Sequence, residues 1–312
     1  MSSTDAEAGI LLGLACGDAL GRPIEFCSSH QISQTHGTVT EMLGHGTHNQ
    51  PAGTITDDTE MALCIARSLA EHHAFRPDDI AERFVAWYDS GPFDIGLMTS
   101  DAIQNIKHGA SWRDAGKQVW ESRAEGSNAG NGSVMRCAPY SIAFRDEWSD
   151  LSRVSATSSA ITHADPRCTY GCVVLNLTLA GLLARRPTPL RDALDHIEAN
   201  APEELLTALR SVPNETNPDT LRASGYVVDT LQTSLYHGLT ADTAEDAIVA
   251  AVNMGDDTDT IGAVTGAIAG ARFGADALPD RWIGELEYVE EIEHLVSVLM
   301  TAEFTVDEGC VS

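Results

Sequence analysis

Apolar residues recur three or four positions apart over most of this chain, which is the spacing of one face of an α-helix. The segment 60–73 carries apolar residues at Met61, Leu63, Cys64, Ile65 and Leu69, a pattern that favours a helix buried on most sides. The same spacing predicts further helices at 78–88, 101–107, 113–123, 149–161, 168–183, 190–199, 202–209, 223–235, 244–252, 260–273 and 281–303. The sequence therefore predicts a largely helical protein.

Strand-like alternation is weak, and its best short candidate is 37–42 (GTVTEM). The segment 220–236 mixes β-branched and small residues, but its length favours a helix. The least apolar stretch, 210–219, is interpreted as a loop, and the sequence shows no long linker or internal repeat. We therefore expect one all-α domain over residues 1–312.

The charge balance excludes some partners. The chain has 46 acidic and 19 basic residues, for a net charge of −27. Such a charge disfavours binding to nucleic acid or to an anionic membrane through a general electrostatic field. It also suggests a salt-rich cytoplasm, although an acidic protein from a GC-rich genome is an alternative reading.

The cysteines indicate a reducing compartment. Seven are present, without a CxxC pair or a zinc-like spacing with histidine. The short apolar stretch 10–16 follows acidic rather than basic residues, unlike a signal peptide, and no run reaches the ~18 apolar residues of a membrane span. We expect a cytoplasmic protein.

Two acidic clusters, 56–59 (TDDT) and 256–260 (DDTDT), each open an apolar helical run. Capping of a helix start requires only one or two such side chains. If the clusters meet, their negative charge calls for cations, and oxygen ligands suit Mg²⁺, Mn²⁺ or Ca²⁺. The predicted ligands of this two-halved metal site are the carboxylates and hydroxyls of Thr56, Asp57, Asp58, Asp257, Asp259 and Thr260.

Other residues are candidates for catalysis. Asp18 lies in an apolar segment, either as a buried structural carboxylate or as a catalytic one. Glu25 lies beyond the expected end of the helix that this segment forms, and it is better placed than Asp18 to reach a metal or a reacting water. Asp94 is either a turn residue or a carboxylate that faces the substrate.

The stretch 127–136 (SNAGNGSVMR) can offer main-chain N–H groups to a phosphate, or can be an ordinary loop. Arg136 could hold a phosphate or a carboxylate of the core. His163, in 162–166 (THADP), is a candidate substrate contact or a structural histidine. His45, His48 and the remaining histidines are expected in loops or at the surface.

Five motifs in order resemble the ADP-ribosylglycohydrolases: 17–25 (GDALGRPIE), 49–69 (NQPAGTITDDTEMALCIARSL), 130–139 (GNGSVMRCAP), 162–166 (THADP) and 255–274 (GDDTDTIGAVTGAIAGARFG). The resemblance implies an all-α fold, a single orthogonal helical domain with a cleft that holds two Mg²⁺ or Mn²⁺ ions. It implies the six metal ligands proposed above. Asp256 departs from the family, where many relatives have glycine, and leaves the ligand numbering ambiguous by one.

The resemblance further implies roles for the other motifs. Glu25 and Asp94 become candidates for proton transfer at the metal centre and the substrate. The predicted ADP-ribose contacts are Gly130, Asn131, Gly132, Ser133, Met135 and His163. The implied reaction is metal-dependent hydrolysis of a glycosidic bond in an ADP-ribosylated protein or a small ADP-ribose conjugate.

Two alternatives remain open from the sequence. A catalytically silent relative could bind ADP-ribose or act as a structural, crystallin-like protein, but its sequence sign would be loss of acidic ligands, and here all are filled. A di-metal hydrolase of phosphoesters would release phosphate or AMP rather than ADP-ribose.

Overall fold

The first and fourteenth helices, α1 (Ser3–Gly21) and α14 (Thr258–Phe273), pack along their whole length in this computed structural model, which describes residues 3–306. Glycines form the contact: Gly13 faces Gly266, and Gly17 faces Gly262. A Cβ atom at any of these positions would overlap backbone atoms of the opposite helix. The backbones therefore approach more closely than side chains would allow, and both ends of the chain share one core.

The remaining helices surround this pair. They are α2 (Ser29–His36), α3 (Asp57–His72), α4 (Pro77–Asp89), α5 (Leu97–Lys107), α6 (Trp112–Ser122), α7 (Pro139–Ala143), α8 (Trp148–Ala160), α9 (Pro166–Leu183), α10 (Pro189–Ile197), α11 (Glu203–Arg210), α12 (Val227–Thr240), α13 (Ala244–Val252), α15 (Asp280–Ile283) and α16 (Val289–Thr301). Two short strands, β1 (Ala74–Phe75) and β2 (Thr305–Val306), pair in parallel. The all-α prediction is confirmed.

The predicted strand at 37–42 was wrong. The main chain of Val39 is bonded to the side-chain amide of Asn253 on both its N–H and its carbonyl. The Thr40 carbonyl accepts from the Trp282 indole. Side chains of distant elements satisfy this segment, so it needs no neighbouring strand.

Helix boundaries also differ from the prediction. The predicted helix 281–303 is two helices, because the chain turns at Gly284 and Tyr288 has a left-handed φ of 64°. The predicted helix 223–235 begins only at Val227. The helices α2 and α7 were not predicted, since α2 is mostly polar and α7 has five residues.

The start of α3 is fixed to α1 by one buried carboxylate. Asp18, which is fully buried, accepts hydrogen bonds from the main-chain N–H and the hydroxyl of both Thr56 and Thr59. Burial raises its pKa to about 6, while these donors act in the opposite direction. Asp18 thus takes the structural one of its two predicted roles and positions the first acidic cluster.

The six cysteines within residues 3–306 are free thiols, and Cys310 and the predicted domain limits 1 and 312 lie outside that range. No helix among the described residues is long and apolar enough to cross a membrane.

Candidate active site

The two acidic clusters meet at a cleft of about 720 Å³ between the starts of α3 and α14. Its walls come from segments that are far apart in the chain. Of the predicted site residues, those that line it are Glu25, Asp57, Asp58, Asp94, Gly130, Asn131, Gly132, Met135, His163, Asp257, Asp259 and Thr260. Thr56 and Ser133 are buried behind the wall and do not line it.

The first cluster presents two carboxylates from the first turn of α3. Thr56 is the N-cap residue, and its hydroxyl accepts from the N–H of Asp58. Oδ2 of Asp57 accepts from the N–H of Gly96 at 3.3 Å, which ties α3 to the loop before α5. Oδ2 of Asp58 accepts from the hydroxyl of Thr260 at 3.4 Å, so this contact joins the clusters directly.

The second cluster is held by its own helix and by the glycine-rich loop. Asp257 accepts from the side-chain amide of Asn131 at 2.7 Å. Asp259 accepts from the N–H of Thr260 at 2.8 Å. Ligand atoms of Glu25, Asp257 and Asp259 all lie within 4.8 Å of one another, close enough to bind one ion.

Asp256 has a different position from its neighbours. It is exposed, and its φ of 59° is left-handed, a conformation that glycine adopts most easily and aspartate tolerates. Its main chain exchanges hydrogen bonds with Phe26 and Cys27. Since the adjacent Asp257 side chain contacts Asn131 and that of Asp256 does not, the geometry favours Asp257 and Asp259 as the inward pair.

The cleft concentrates negative charge. Burial raises the pKa of Asp57, Asp58, Asp257 and Asp259, and neighbouring carboxylates raise it further for Asp57, Asp58 and Asp259. The same two causes raise the pKa of Glu25 to about 9. No lysine or arginine is among the described residues that line the cleft. Only protons or bound cations can therefore neutralise it.

The donor set fits a hard divalent cation. Oδ1 of Asp58 is buried and has no hydrogen-bond partner among the described residues. A buried carboxylate oxygen without a partner costs free energy, and a cation would remove that cost. Carboxylate and hydroxyl oxygens are the ligands that Mg²⁺ and Mn²⁺ prefer.

Glu25 and Asp94 both line the cleft, and a histidine lies between them. Nε2 of His48 lies 2.5 Å from Oε2 of Glu25 and 3.7 Å from Oδ2 of Asp94. The His48 side chain is 12% exposed. Burial raises the pKa of Asp94, and the nearby His48 partly offsets this rise. His48 lies in a loop, as expected, but its ring belongs to the site, which the sequence did not indicate.

The glycine-rich loop forms the opposite wall with His163. A Cβ atom at Gly132 would lie 2.8 Å from Cε1 of His163, so this close approach requires glycine. Burial is the main cause that lowers the pKa of His163 to about 3, which keeps its ring neutral. Nδ1 of His163 is 2.7 Å from the hydroxyl of Thr162. The loop and the histidine therefore form one rigid, uncharged surface.

Two side chains near this loop have structural contacts. The Ser133 hydroxyl accepts from Ser159 at 2.9 Å. The fully buried guanidinium of Arg136 donates to the Gly132 carbonyl and the Thr162 hydroxyl, and stacks on Phe84. Arg136 thus supports the loop from behind, in neither of the roles weighed from the sequence.

Asp256 also lines the cleft, whereas the sequence did not single out several other lining residues. They include Phe26, Thr99, Ser224 and Gly225. Phe26 is 70% exposed at the mouth of the cleft, and its φ of 62° is left-handed. An exposed phenylalanine has no distinguishing pattern along the chain, since its position depends on the main-chain bond to Asp256.

The raised pKa values predict a pH-dependent stability. Carboxyl groups in unfolded chains have pKa values near ~4, so above that pH the folded, metal-free protein binds more protons than the unfolded one. The stability that these protonated groups provide is lost as pH rises from the unfolded pKa through the folded pKa of each group, which is about 6 for Asp18 and about 9 for Glu25. We expect the free energy of unfolding of the metal-free protein to decrease as pH rises from ~4 to about 9. We expect Mg²⁺ to make this decrease smaller. Urea denaturation at constant ionic strength, with EDTA or Mg²⁺, measures both, and metal-free stability that increases with pH would contradict the charge crowding.

Comparison with known proteins gives consistent results. The family model described as ADP-ribosylglycohydrolase matches residues 2–308. A dinitrogen reductase ADP-ribosyl glycohydrolase of Rhodospirillum rubrum is 35% identical, over 93% of this chain and 92% of its own. An ADP-ribosylarginine hydrolase of Serratia proteamaculans is 34% identical, over 95% and 79%. A solved structure titled as an ADP-ribosylglycohydrolase-related protein complex has a TM-score of 0.81 and 32% identity, covering 96% of this chain and 98% of its own.

Proposed function

Since the chain belongs to the ADP-ribosylglycohydrolase family, we propose that it hydrolyses the glycosidic bond of an ADP-ribosylated protein or small ADP-ribose conjugate and releases ADP-ribose. The observation that carries this proposal is the convergence of both acidic clusters on one cleft, with a buried, unpartnered oxygen of Asp58. A silent relative would have no use for this charge, which destabilises the folded state.

Two Mg²⁺ or Mn²⁺ ions are the proposed cofactors. Asp57, Asp58, Asp257 and Asp259 would hold them, with Thr260 and the buried Thr56 as neutral oxygen ligands. When bound, the ions would polarise the substrate and orient water as Lewis acids. The family model and the acidic cluster support a metal site; the number and kind of ions remain proposals.

The substrate would lie between the metal site and the glycine-rich loop. Its diphosphate carries negative charge, yet no basic side chain among the described residues lines the cleft. We expect main-chain N–H groups of the loop to contact it, other than that of Asn131, which is bonded to the Gly225 carbonyl. A Cβ atom at Gly132 would lie 2.8 Å from His163, so this position has no room for a larger residue. Asn131 and Met135 would complete this surface, with Ser133 behind it.

Proton transfer is assigned to Glu25 or Asp94. The leaving group needs a proton, and water must lose one, as the anomeric bond breaks through an oxocarbenium-like state. Burial and the neighbouring carboxylates raise the pKa of Glu25 to about 9 in the absence of cations, and bound cations would lower it. Both residues line the cleft, and Glu25 lies next to Asp257 and Asp259.

The test is release of ADP-ribose from peptides that carry it on arginine or on serine. Arginine is the first choice because of the substrate named for the Serratia relative. We expect release with Mg²⁺ or Mn²⁺ and none with EDTA. Tight ADP-ribose binding without release would favour the silent relative, and release of phosphate or AMP would favour a phosphoesterase.

The net charge of the protein disfavours two classes of partner. A net charge of −27 makes a nucleic acid or an anionic membrane an unfavourable partner. The cytoplasmic location and the salt-rich habitat stay predictions.

A further inference from the structure

A buried arginine anchors the loop that carries His48. The Arg22 guanidinium donates to the carbonyls of Leu43, His45, Pro51 and Thr54, at 2.8 to 3.2 Å. Arg22 is fully buried. A guanidinium carries its five N–H donors in one plane, so it can fix several main-chain carbonyls at once. The segment 43–51, here called the arginine-anchored loop, is thus attached to the core at both of its ends.

This loop holds Glu25 at two points. The hydroxyl of Thr47 donates to the Glu25 carbonyl at 2.7 Å, and the imidazole of His48 bonds to its carboxylate at 2.5 Å. The N–H of Thr47 also donates to the Pro23 carbonyl at 3.1 Å. Main chain and side chain of Glu25 are therefore fixed relative to the same loop.

The His48 ring has a defined seat. Its centroid lies 5.4 Å from that of Phe93 and 6.3 Å from that of Phe26, with tilted planes. Phe26 directly follows Glu25 in the chain, and Phe93 directly precedes Asp94. The aromatic contacts therefore align His48 with both carboxylates, which suggests more than space filling.

We propose that His48 is a positioning residue, which keeps the carboxylate of Glu25 aimed into the cleft and next to Asp94 during proton transfer. This inference rests on the proposed function. Without the imidazole, the carboxyl group of Glu25 would lose the side-chain contact that fixes its orientation beside Asp94, and it would be free to rotate to other rotamers. Misplacement of about 1 Å is enough to slow catalysis strongly.

Three substitutions separate the hydrogen bond from the packing. His48→Phe keeps a ring between the two phenylalanines but cannot donate, His48→Ala removes both, and His48→Gln keeps a neutral donor. We expect kcat to fall at least about 10-fold in the phenylalanine and alanine variants, with KM unchanged, and to recover largely in the glutamine variant.

The matched control is His45→Asn in the same loop. The His45 ring hydrogen-bonds to Asn49, and asparagine tolerates its left-handed φ of 67°. This variant should keep the activity of the unmodified protein. The proposal is overturned if His48→Ala keeps full kcat, or if the phenylalanine and glutamine variants are equally impaired.

A second readout does not depend on turnover. In ¹⁵N-labelled protein, Glu25→Gln should shift the side-chain nitrogen signals of His48 and leave those of His45 in place. If the unmodified protein releases no ADP-ribose but this shift occurs, the proposed function fails while the contact stands. Unshifted His48 signals overturn the positioning role itself.

Discussion

Replacement of Asp58 or Asp257 by asparagine is expected to abolish metal-dependent hydrolysis while the protein stays folded. Asp58 lacks a partner for its buried Oδ1, and Asp257 is held by Asn131 at the inner end of the second cluster. The amide removes one negative ligand at nearly constant volume. We expect kcat/KM to fall at least ~1000-fold, about 4 kcal/mol of transition-state stabilisation.

The same variants should become more stable without metal, because one buried charge is gone. Thermal denaturation in EDTA and in Mg²⁺ measures this gain and the loss of stabilisation by metal. Asp256→Asn is the matched control, since it removes the same charge one residue away, from an exposed side chain. Full activity in Asp58→Asn or Asp257→Asn would show that the ligand assignment is wrong.

A methyl group between α1 and α14 is expected to destabilise the fold severely. A Cβ at Gly17 would overlap the Gly262 carbonyl, and one at Gly266 would overlap that of Gly13. Backbone cannot move aside as a flexible side chain can. We expect Gly17→Ala and Gly266→Ala each to cost about 3 kcal/mol or more of the free energy of unfolding.

Urea denaturation measures this loss, and Gly44→Ala is its control. A Cβ at Gly44 would meet its nearest atom at 3.6 Å, an ordinary van der Waals contact, so that change should be nearly neutral. Equal stability of all three variants would mean that the helices are not in such close contact.

Periodicity predicted the helices because burial on one face leaves a local record in the sequence. The boundaries depend on less local causes. The segment 281–303 continues its apolar pattern through the turn at Gly284 and Tyr288, so spacing alone could not reveal the break. The alternation in 37–42 was real, but Asn253 and Trp282 satisfy that backbone instead of a strand.

The acidic clusters were visible because several carboxylate and hydroxyl side chains occupy consecutive positions. The two-halved site predicted from them requires the clusters to meet, and the contact between Asp58 and Thr260 shows that they do. His48 was missed for the opposite reason. It is a single histidine in a turn, and its place beside Glu25 depends on carbonyl bonds to Arg22 that no local pattern records.

The glycine contact between α1 and α14 also has a consequence for synthesis of the protein. Gly21 and Thr258, which are bonded at one end of that contact, lie 237 residues apart. At roughly 5–20 residues per second, the apolar first helix leaves the ribosome roughly 12 to 47 seconds before its partner. During that interval its glycine face has no partner helix to pack against, so a nascent chain has neither its central helix pair nor its complete acidic cleft. Chains that stop short of α14 should therefore need chaperones and should be degraded rather than accumulate as partly active fragments.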